Sequence, residues 1–550
     1  MTPTTVDSAP HVDSSPFSPA DLLRPTAFPH AAERLEVRET NISWVILTGP
    51  FAYKIKKSVQ LGFIDTTTLA RRRLLCEEEL RLNRRLAADL YLDVVAISRE
   101  ADGLRIAGKG PIVEYAVRMK QFEASQELSA LLDHGAVSPL EFVDLARRLA
   151  QFHELAAKPP DSGDFSRTQH LHDAVLGNLA TLLSHLDADT ALPELGVLID
   201  WTHDYLHDSL DRLRERESAG YVRECHGDLH AHNVVRWQGR LVPFDCLEFD
   251  PDLRWIDVMN DVAFLAMDLT ARGRRDLACA FLNAYLECTG DYRGVRHLAF
   301  YSVYRALIRA MVDSIGAERD DARRSDFQTR LRARVRAAAA YIDRPAPALI
   351  IMSGLSGSGK SWMSEQLASQ WGAMRIRSDV ERKRLGSEST AAACAAGYDL
   401  YTPEMNRRTY ARLLEGAESC LKGGMDTIVD AAFLIGEDRR LFHDLAARMG
   451  CRFMVLACEA DPTTLAQRIE KRGLSRTDPS DATVQVLNRQ LRNHEPLTAD
   501  EQAEAISIDT ALPQACEKAI AAIRGRLGQG VLAHVKPGQP QREDPATRPA

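Results

Sequence analysis

Two stretches of this 550-residue sequence carry residue types at spacings suited to moving a phosphoryl group. The first, Gly354-Leu-Ser-Gly357-Ser358-Gly359-Lys360-Ser361, satisfies G-x-x-x-x-G-K-[ST]. It follows the apolar run Ala348–Met352 and precedes a helical pattern, the context such a loop needs. Glycine lets the backbone take positive φ against a polyphosphate, while loop amides and the helix N-terminus supply donors. Lys360 is expected to reach the β and γ oxygens, and the Ser361 hydroxyl to take a Mg²⁺ position. The second stretch, His226-Gly-Asp228-Leu-His-Ala-His-Asn233, has the spacing H-x-D-x-x-x-x-N. Leu241-Val-Pro-Phe-Asp245 follows it, a short apolar strand ending in an acid. Asp228 would face an acceptor hydroxyl, and Asn233 and Asp245 would hold a metal ion.

Each stretch has companions. Lys54 lies two residues beyond Ala52 on one strand face, as in A-x-K, and Lys56 shares that face as the fallback. Leu75, Glu79, Leu82 and Leu86 form a stripe at helical spacing, so Glu79 is the member of Glu77–Glu79 expected to turn inward and pair with Lys54. A solvated acidic run is the alternative. Downstream of the glycine-rich loop, Asp379 follows a predicted strand, either accepting a proton from an attacking hydroxyl or capping the next helix. Asp430 ends another strand, as a Mg²⁺-side carboxylate or a turn-initiating acid. Arg468 and Arg472 are four apart on one helix face, a lid over the nucleotide or a solvated basic face. His230 and His232 lack a carboxylate or cysteine at ligand spacing and read as loop packing.

These residues must be positioned by two different architectures. Strand-like pieces at Ser43–Leu47, Ala52–Ile55 and Tyr91–Ile97 precede a mostly helical stretch, which predicts a two-lobed α+β domain. After Tyr341–Pro347, whose prolines stop a helix, strand and helix alternate, which predicts a parallel α/β sheet. The expected division is a disordered lead over 1–24, a domain over 25–340, a linker over 341–347, a second domain over 348–527 and a disordered tail over 528–550.

Hydrophobic residues make up 45% and charged residues 27% of the chain, which excludes low-complexity and wholly disordered classes. A net charge of -8 argues against a protein that coats nucleic acid or anionic membrane. The ten cysteines show no C-x-x-C pair and read as reduced thiols. With no membrane-length apolar run and no signal-peptide pattern, the expected compartment is the cytoplasm.

The segment 348–527 resembles the P-loop kinase group that includes gluconate kinase, polynucleotide 5′-kinases and zeta-toxin-like kinases. The resemblance rests on Gly354–Ser361, Ser378-Asp379-x-x-Arg382 and the Arg468/Arg472 pair. It implies that Asp379 is the substrate-side base and that Tyr398–Glu404 lies near the acceptor. Residues 35–340 resemble the aminoglycoside phosphotransferase family, the small-molecule branch of the protein-kinase-like fold. That likeness rests on the motif at 226–233 with glycine after His226, on Leu149-Ala-Gln-Phe-His153 and on Trp255-Ile-Asp257-Val-Met-Asn-Asp261. There it implies that Asp257 and Asp261 brace the catalytic loop. No G-x-G-x-x-G precedes Ala52, and Asp245-Cys-Leu replaces D-F-G, with Glu248 a candidate second acidic ligand. Together the resemblances imply a protein-kinase-like domain followed by a P-loop NTPase domain. Both would use ATP and Mg²⁺ on small hydroxyl-bearing acceptors. The competing expectations are a nucleotide-sensing regulator with one silent half, and a nucleic-acid-end or toxin-like kinase.

Overall fold

In the computed structural model, strand β1 (Glu36–Glu39) pairs antiparallel with β2 (Ser43–Leu47), which pairs with β3 (Phe51–Lys56). The structure describes residues 17–527 apart from 33, 41, 62–63, 160–165, 187–191, 320–323, 389–401 and 476–483. Helix α1 (Leu69–Ala87) follows, begun by the Thr68 hydroxyl accepting from Arg71 N–H. Strands β4 (Tyr91–Glu100), β5 (Gly103–Ile106) and β6 (Ile112–Lys120) complete an antiparallel sheet ordered β1-β2-β3-β6-β4-β5. The hairpin β7 (Val234–Trp237) and β8 (Arg240–Pro243) follows directly on the motif at 226–233. These strands belong to one compact unit, made of the chain up to Val137, a short piece from Leu155, and Val222–Ile256.

The other unit takes Ser138–Glu154, the helices through Tyr221, and the chain from Asp257 onward. It contains helices α2 (Pro139–Leu155), α3 (Arg167–Ser184), α4 (Pro193–Ser218), α5 (Val258–Ala271), α6 (Arg275–Thr289), α7 (Leu298–Arg319) and α8 (Arg324–Ala339). The α/β segment follows as β9 (Ala348–Ser353), α9 (Lys360–Trp371), β10 (Met374–Arg377), α10 (Ser378–Glu388), α11 (Pro403–Lys422) and β11 (Thr427–Asp430). Its remaining elements are α12 (Gly436–Arg448), β12 (Arg452–Glu459), α13 (Pro462–Ser475), α14 (Val484–Asn493), β13 (Ala505–Asp509) and α15 (Ala515–Leu527). The sheet is wholly parallel, in the order β10-β11-β9-β12-β13. Every residue of β9 is buried, as a central strand covered on both faces requires. This strand order, with a glycine-rich loop between its central strand and the next helix, is a P-loop NTPase fold.

The expected lead over 1–24 needs correction at its end. Pro19–Leu22 form a 3₁₀ turn, and Leu22 is fully buried with Phe28, Ile46, Tyr53 and Ile97. A leucine removed completely from water holds its turn against the sheet, stabilising by about 2 kcal/mol. Residues 1–16 and the tail 528–550 lie outside the described residues. Among the described residues, no helix is long and apolar enough to cross a membrane.

Candidate active sites

Strand β3 turns Ala52, Lys54 and Lys56 to one face, and both lysines find the same carboxylate. Lys54 Nζ donates to Glu79 Oε1 at 2.8 Å, and Lys56 Nζ donates to Glu79 Oε2 at 2.5 Å. Lys54 also pairs with Asp245, and Lys56 with Glu248. Glu79, the middle acid of this chain, is fully buried. Burial opposes its charge, but Lys54 and Lys56 outweigh that and hold its pKa down to about 2. Three carboxylates face two ammonium groups, so when all are ionised the cluster keeps one negative charge, and Asp245 is its half-exposed member. A divalent cation suits such a surplus. Glu248 is not free to act as the second acidic ligand anticipated from sequence, because it is buried against Lys56.

Asp245 takes φ 63, a left-handed conformation uncommon outside glycine. It is held there by two hydrogen bonds: its N–H donates to Tyr91 Oη at 3.1 Å, and Cys246 N–H donates to Asn83 Oδ1 at 2.9 Å. Asn83 in turn donates to Glu79 O at 2.9 Å, so helix α1 orients both the acid and the turn at Asp245.

In the loop 226–233, Asn233 Nδ2 donates to Asp228 Oδ2 at 2.9 Å and to Asp228 O at 3.0 Å. His226 anchors the loop through Nε2, 2.9 Å from Phe244 O. Gly227 has φ 85, and a Cβ there would lie 3.0 Å from Leu253 O and 3.2 Å from Leu247 Cβ, which accounts for glycine at this position. His230 does more than pack: its Nε2 lies 3.3 Å from Asp228 Oδ2, while its Nδ1 accepts from His232 N–H at 3.2 Å. That acceptor role places the ring proton on Nε2, facing Asp228. The turn between β2 and β3 departs from a phosphate-covering loop, since Gln121 Oε1 accepts from Thr48 N–H at 3.0 Å and Gly49 N–H at 2.9 Å. Neither Gln121 nor His230 carries a local signal of these roles; each partner is fixed by a neighbouring turn.

In the other unit, two glycines of the loop are required by space and a third by its backbone conformation. A Cβ on Gly354 (φ 149) would meet Cys458 O at 2.5 Å, and one on Gly357 (φ 84) would meet Leu465 O at 2.6 Å. Gly359 (φ 80) begins helix α9 in the left-handed region. Lys360 Nζ donates to Leu355 O at 3.2 Å, folding back over the loop. Ser361 Oγ donates to Asp430 Oδ1 at 3.2 Å, bringing together two oxygen donors of the kind Mg²⁺ prefers. Ser358 Oγ is buried without a hydrogen-bond partner among the described residues, in a loop built to face an acceptor-rich ligand. Loop shape, lysine and oxygen pair together fit a Mg-nucleotide. A cavity of about 510 Å³ opens beside the loop, lined in part by Gly354, Leu355 and Ser358.

Asp430 is crowded by cations. Arg375 Nη2 donates to Asp430 Oδ2 at 2.9 Å and to Ser361 O at 2.8 Å, and Arg375 Nε donates to Ser364 Oγ at 2.8 Å. Burial works against ionisation, but Arg375, Lys360 and Arg377 prevail and hold the Asp430 carboxyl below its ordinary range. Two arginines in one buried strand were the sequence signal for a buried acid nearby, and the parallel register sets Arg377 opposite Asp430. Asp379 stands in the first turn of α10, half-buried, two residues past that register position. Arg382 is buried and donates to Asn406 Oδ1 at 2.6 Å.

Arg468 braces the loop, donating to Gly357 O at 3.3 Å, Thr510 Oγ1 at 2.9 Å and Thr510 O at 3.0 Å. Gln490 Oε1 accepts from Ser356 N–H at 2.8 Å, a contact no local pattern announces. The side chain of Arg472, together with Tyr398–Tyr401, lies outside the described residues. Of the motif around 255–261, Asp257 pairs with Arg216 at 2.6 Å, and Asp261 lies 3.2 Å from His153 Nε2.

A family described as AAA domain matches residues 349–497. Proteins of Mycobacterium bovis and Mycobacterium tuberculosis, described as uncharacterized, are 28% identical over 460 residues, covering 82% of this chain and 88% of theirs. A gluconokinase from Sinorhizobium meliloti is 20% identical with a TM-score of 0.26, covering 35% of this chain and 100% of that one. A choline/ethanolamine kinase family protein from Mesorhizobium loti is 14% identical with a TM-score of 0.34, covering 57% and 89%.

Proposed function

We propose that this chain is a tandem ATP- and Mg²⁺-dependent phosphotransferase, with one site in each compact unit and small hydroxyl-bearing molecules as acceptors. The observation that carries the reading is the Ser361–Asp430 pair, 3.2 Å apart at the end of a glycine loop whose Lys360 bends over it. Asp228 and Asn233, 2.9 Å apart, together with Lys54 held between Glu79 and Asp245, give the other site the same parts in different order.

In each site the chain's own groups have definite tasks. Lys54 and Lys360 orient phosphate oxygens; Asp228 and Asp379 accept the proton of the attacking hydroxyl. The acceptor oxygen then bonds to the γ-phosphorus as the bond to the β–γ bridging oxygen breaks, and ADP carries the electrons away. Asn233 and Asp245 in the first site, and Ser361 and Asp430 in the second, are the groups that would hold Mg²⁺, which neutralises charge on the phosphates. Arg468 stiffens the loop, and Arg472 of the same helix is assigned to the lid.

A second reading has its own support. Gln121 occupies the Thr48 and Gly49 amides, so the first site lacks one set of phosphate-facing donors and could sense nucleotide without turning it over. Transfer from γ-labelled ATP to sugars, nucleosides, aminoglycosides and RNA ends, measured for Asp228→Asn and Lys360→Ala, separates the two. Loss of distinct products in each variant supports two active sites. Loss in Lys360→Ala alone supports a silent first site, and retention of all transfer in both sinks the proposal.

A further inference from the structure

Strand β10 is an edge strand, with β11 on one side only, so its outer backbone groups need partners. Helix α6 supplies them. Asn283 Oδ1 accepts from Arg375 N–H at 2.7 Å, and Asn283 Nδ2 donates to Ala373 O at 2.9 Å, so one side-chain amide closes the edge as a strand would. One helical turn later, Glu287 Oε1 accepts from Arg377 Nη1 at 2.9 Å, and Glu287 O accepts from Arg384 Nη2 at 2.6 Å. The fit is close: a Cβ on Gly372 would meet Arg275 Nε at 2.5 Å, and one on Gly423 would meet Val295 O at 2.4 Å. All these residues lie in the same compact unit.

We propose that Glu287, with Asn283, is a positioning residue of the phosphate-loop site: it holds Arg377 back from Asp430 and so leaves that carboxylate able to take a divalent cation. Arg375 already occupies Asp430 Oδ2 at 2.9 Å, while Arg377 Nε stands off at 4.0 Å. Asp430 is buried, so a second guanidinium closing that gap would compete strongly with a metal ion for its oxygens. Glu287 satisfies Arg377 from the other side and removes the incentive to close it. A helix outside the α/β sheet therefore sets how readily that site takes metal.

The inference rests on the Mg-nucleotide reading of this site, and the test separates the two. The full chain carrying Asp245→Ala, to weaken metal binding in the other site, is titrated with Mn²⁺ in the presence of ADP and followed by electron paramagnetic resonance. Glu287→Gln is expected to weaken Mn²⁺ binding about tenfold while metal-free ADP affinity stays within twofold. Glu287→Asp restores binding, and Glu287→Gln combined with Arg377→Ala returns to the parent value. Unchanged Mn²⁺ affinity in Glu287→Gln overturns the inference, as does a loss that persists in the Arg377→Ala background. If Lys360→Ala leaves metal-free ADP binding intact, the underlying reading fails instead.

Discussion

Glu79 accepts from Lys54 through one oxygen and from Lys56 through the other, at 2.8 and 2.5 Å, so a single buried carboxylate orders two strand lysines. The two lysines nevertheless differ in surroundings. Lys54 reaches outward to the half-exposed Asp245, whereas Lys56 is sealed between Glu79 and Glu248.

This difference separates activity from stability. Lys54→Met should lower turnover at the first site by about 10²-fold, since a phosphate-orienting cation is lost. Lys56→Met should leave the buried Glu248 without its ammonium partner, with Glu79 held by Lys54 alone, and cost about 3–5 kcal/mol of stability. Thermal unfolding alongside labelled-ATP turnover distinguishes them; a Lys56 variant that melts with the wild type contradicts the assignment.

His230 should orient Asp228 without touching substrate, given Nε2 at 3.3 Å from the carboxylate. His230→Ala is expected to lower kcat at the first site about tenfold with KM for ATP within twofold, and His230→Gln to recover part of the loss. Equal changes in KM and kcat for both variants would contradict a positioning role.

Gly357→Ala tests the phosphate loop. The added Cβ would sit 2.6 Å from Leu465 O at φ 84, a strain of about 1–3 kcal/mol. Fluorescent-nucleotide titration should show weaker binding at this site and unchanged binding at the other. A variant binding as tightly as wild type would remove the steric account of the loop.

His297 makes stability pH-dependent. It is buried, 2.7 Å from Tyr205 Oη through Nδ1, and burial followed by the nearby Arg216 charge pushes its pKa down to about 4. The unfolded chain binds this proton near the ordinary 6.5, so below that pH the unfolded state gains protons the folded state refuses. Stability from this residue is complete above about pH 6.5 and is lost as pH falls towards 4, by up to about 3 kcal/mol. Denaturant unfolding of wild type and His297→Gln at pH 7.5 and pH 4.5 checks this. The wild-type advantage should shrink on acidification, and a constant gap contradicts it.

The parts legible from sequence were those governed by neighbouring residues. Strand Ser43–Leu47 occurs with the expected bounds, and the stripe through Leu75 and Leu82 places Glu79, of three consecutive acids, inward against Lys54. The glycine loop was readable from its spacing and from the positive φ its turn demands, although the atoms that exclude a Cβ there, Cys458 O and Leu465 O, come from distant elements. Side-chain alternation likewise put Lys54 and Lys56 on one face, but it could not choose between them, and the structure shows that Glu79 takes both.

Tertiary structure alone decided the partners. Glu248 looked like a metal ligand until packing buried it on Lys56, and although the parallel register sets Arg377 opposite Asp430, it is Arg375 whose guanidinium reaches Asp430 Oδ2 at 2.9 Å. Asn283 and Glu287 sit in an ordinary helical run, and only docking against an open strand edge gives them work at a phosphate site. Side-chain periodicity and backbone φ act over a few residues and are written in local order. Ion pairs and edge closure join residues tens to hundreds of positions apart, and their strength depends on burial that exists only once the elements have packed.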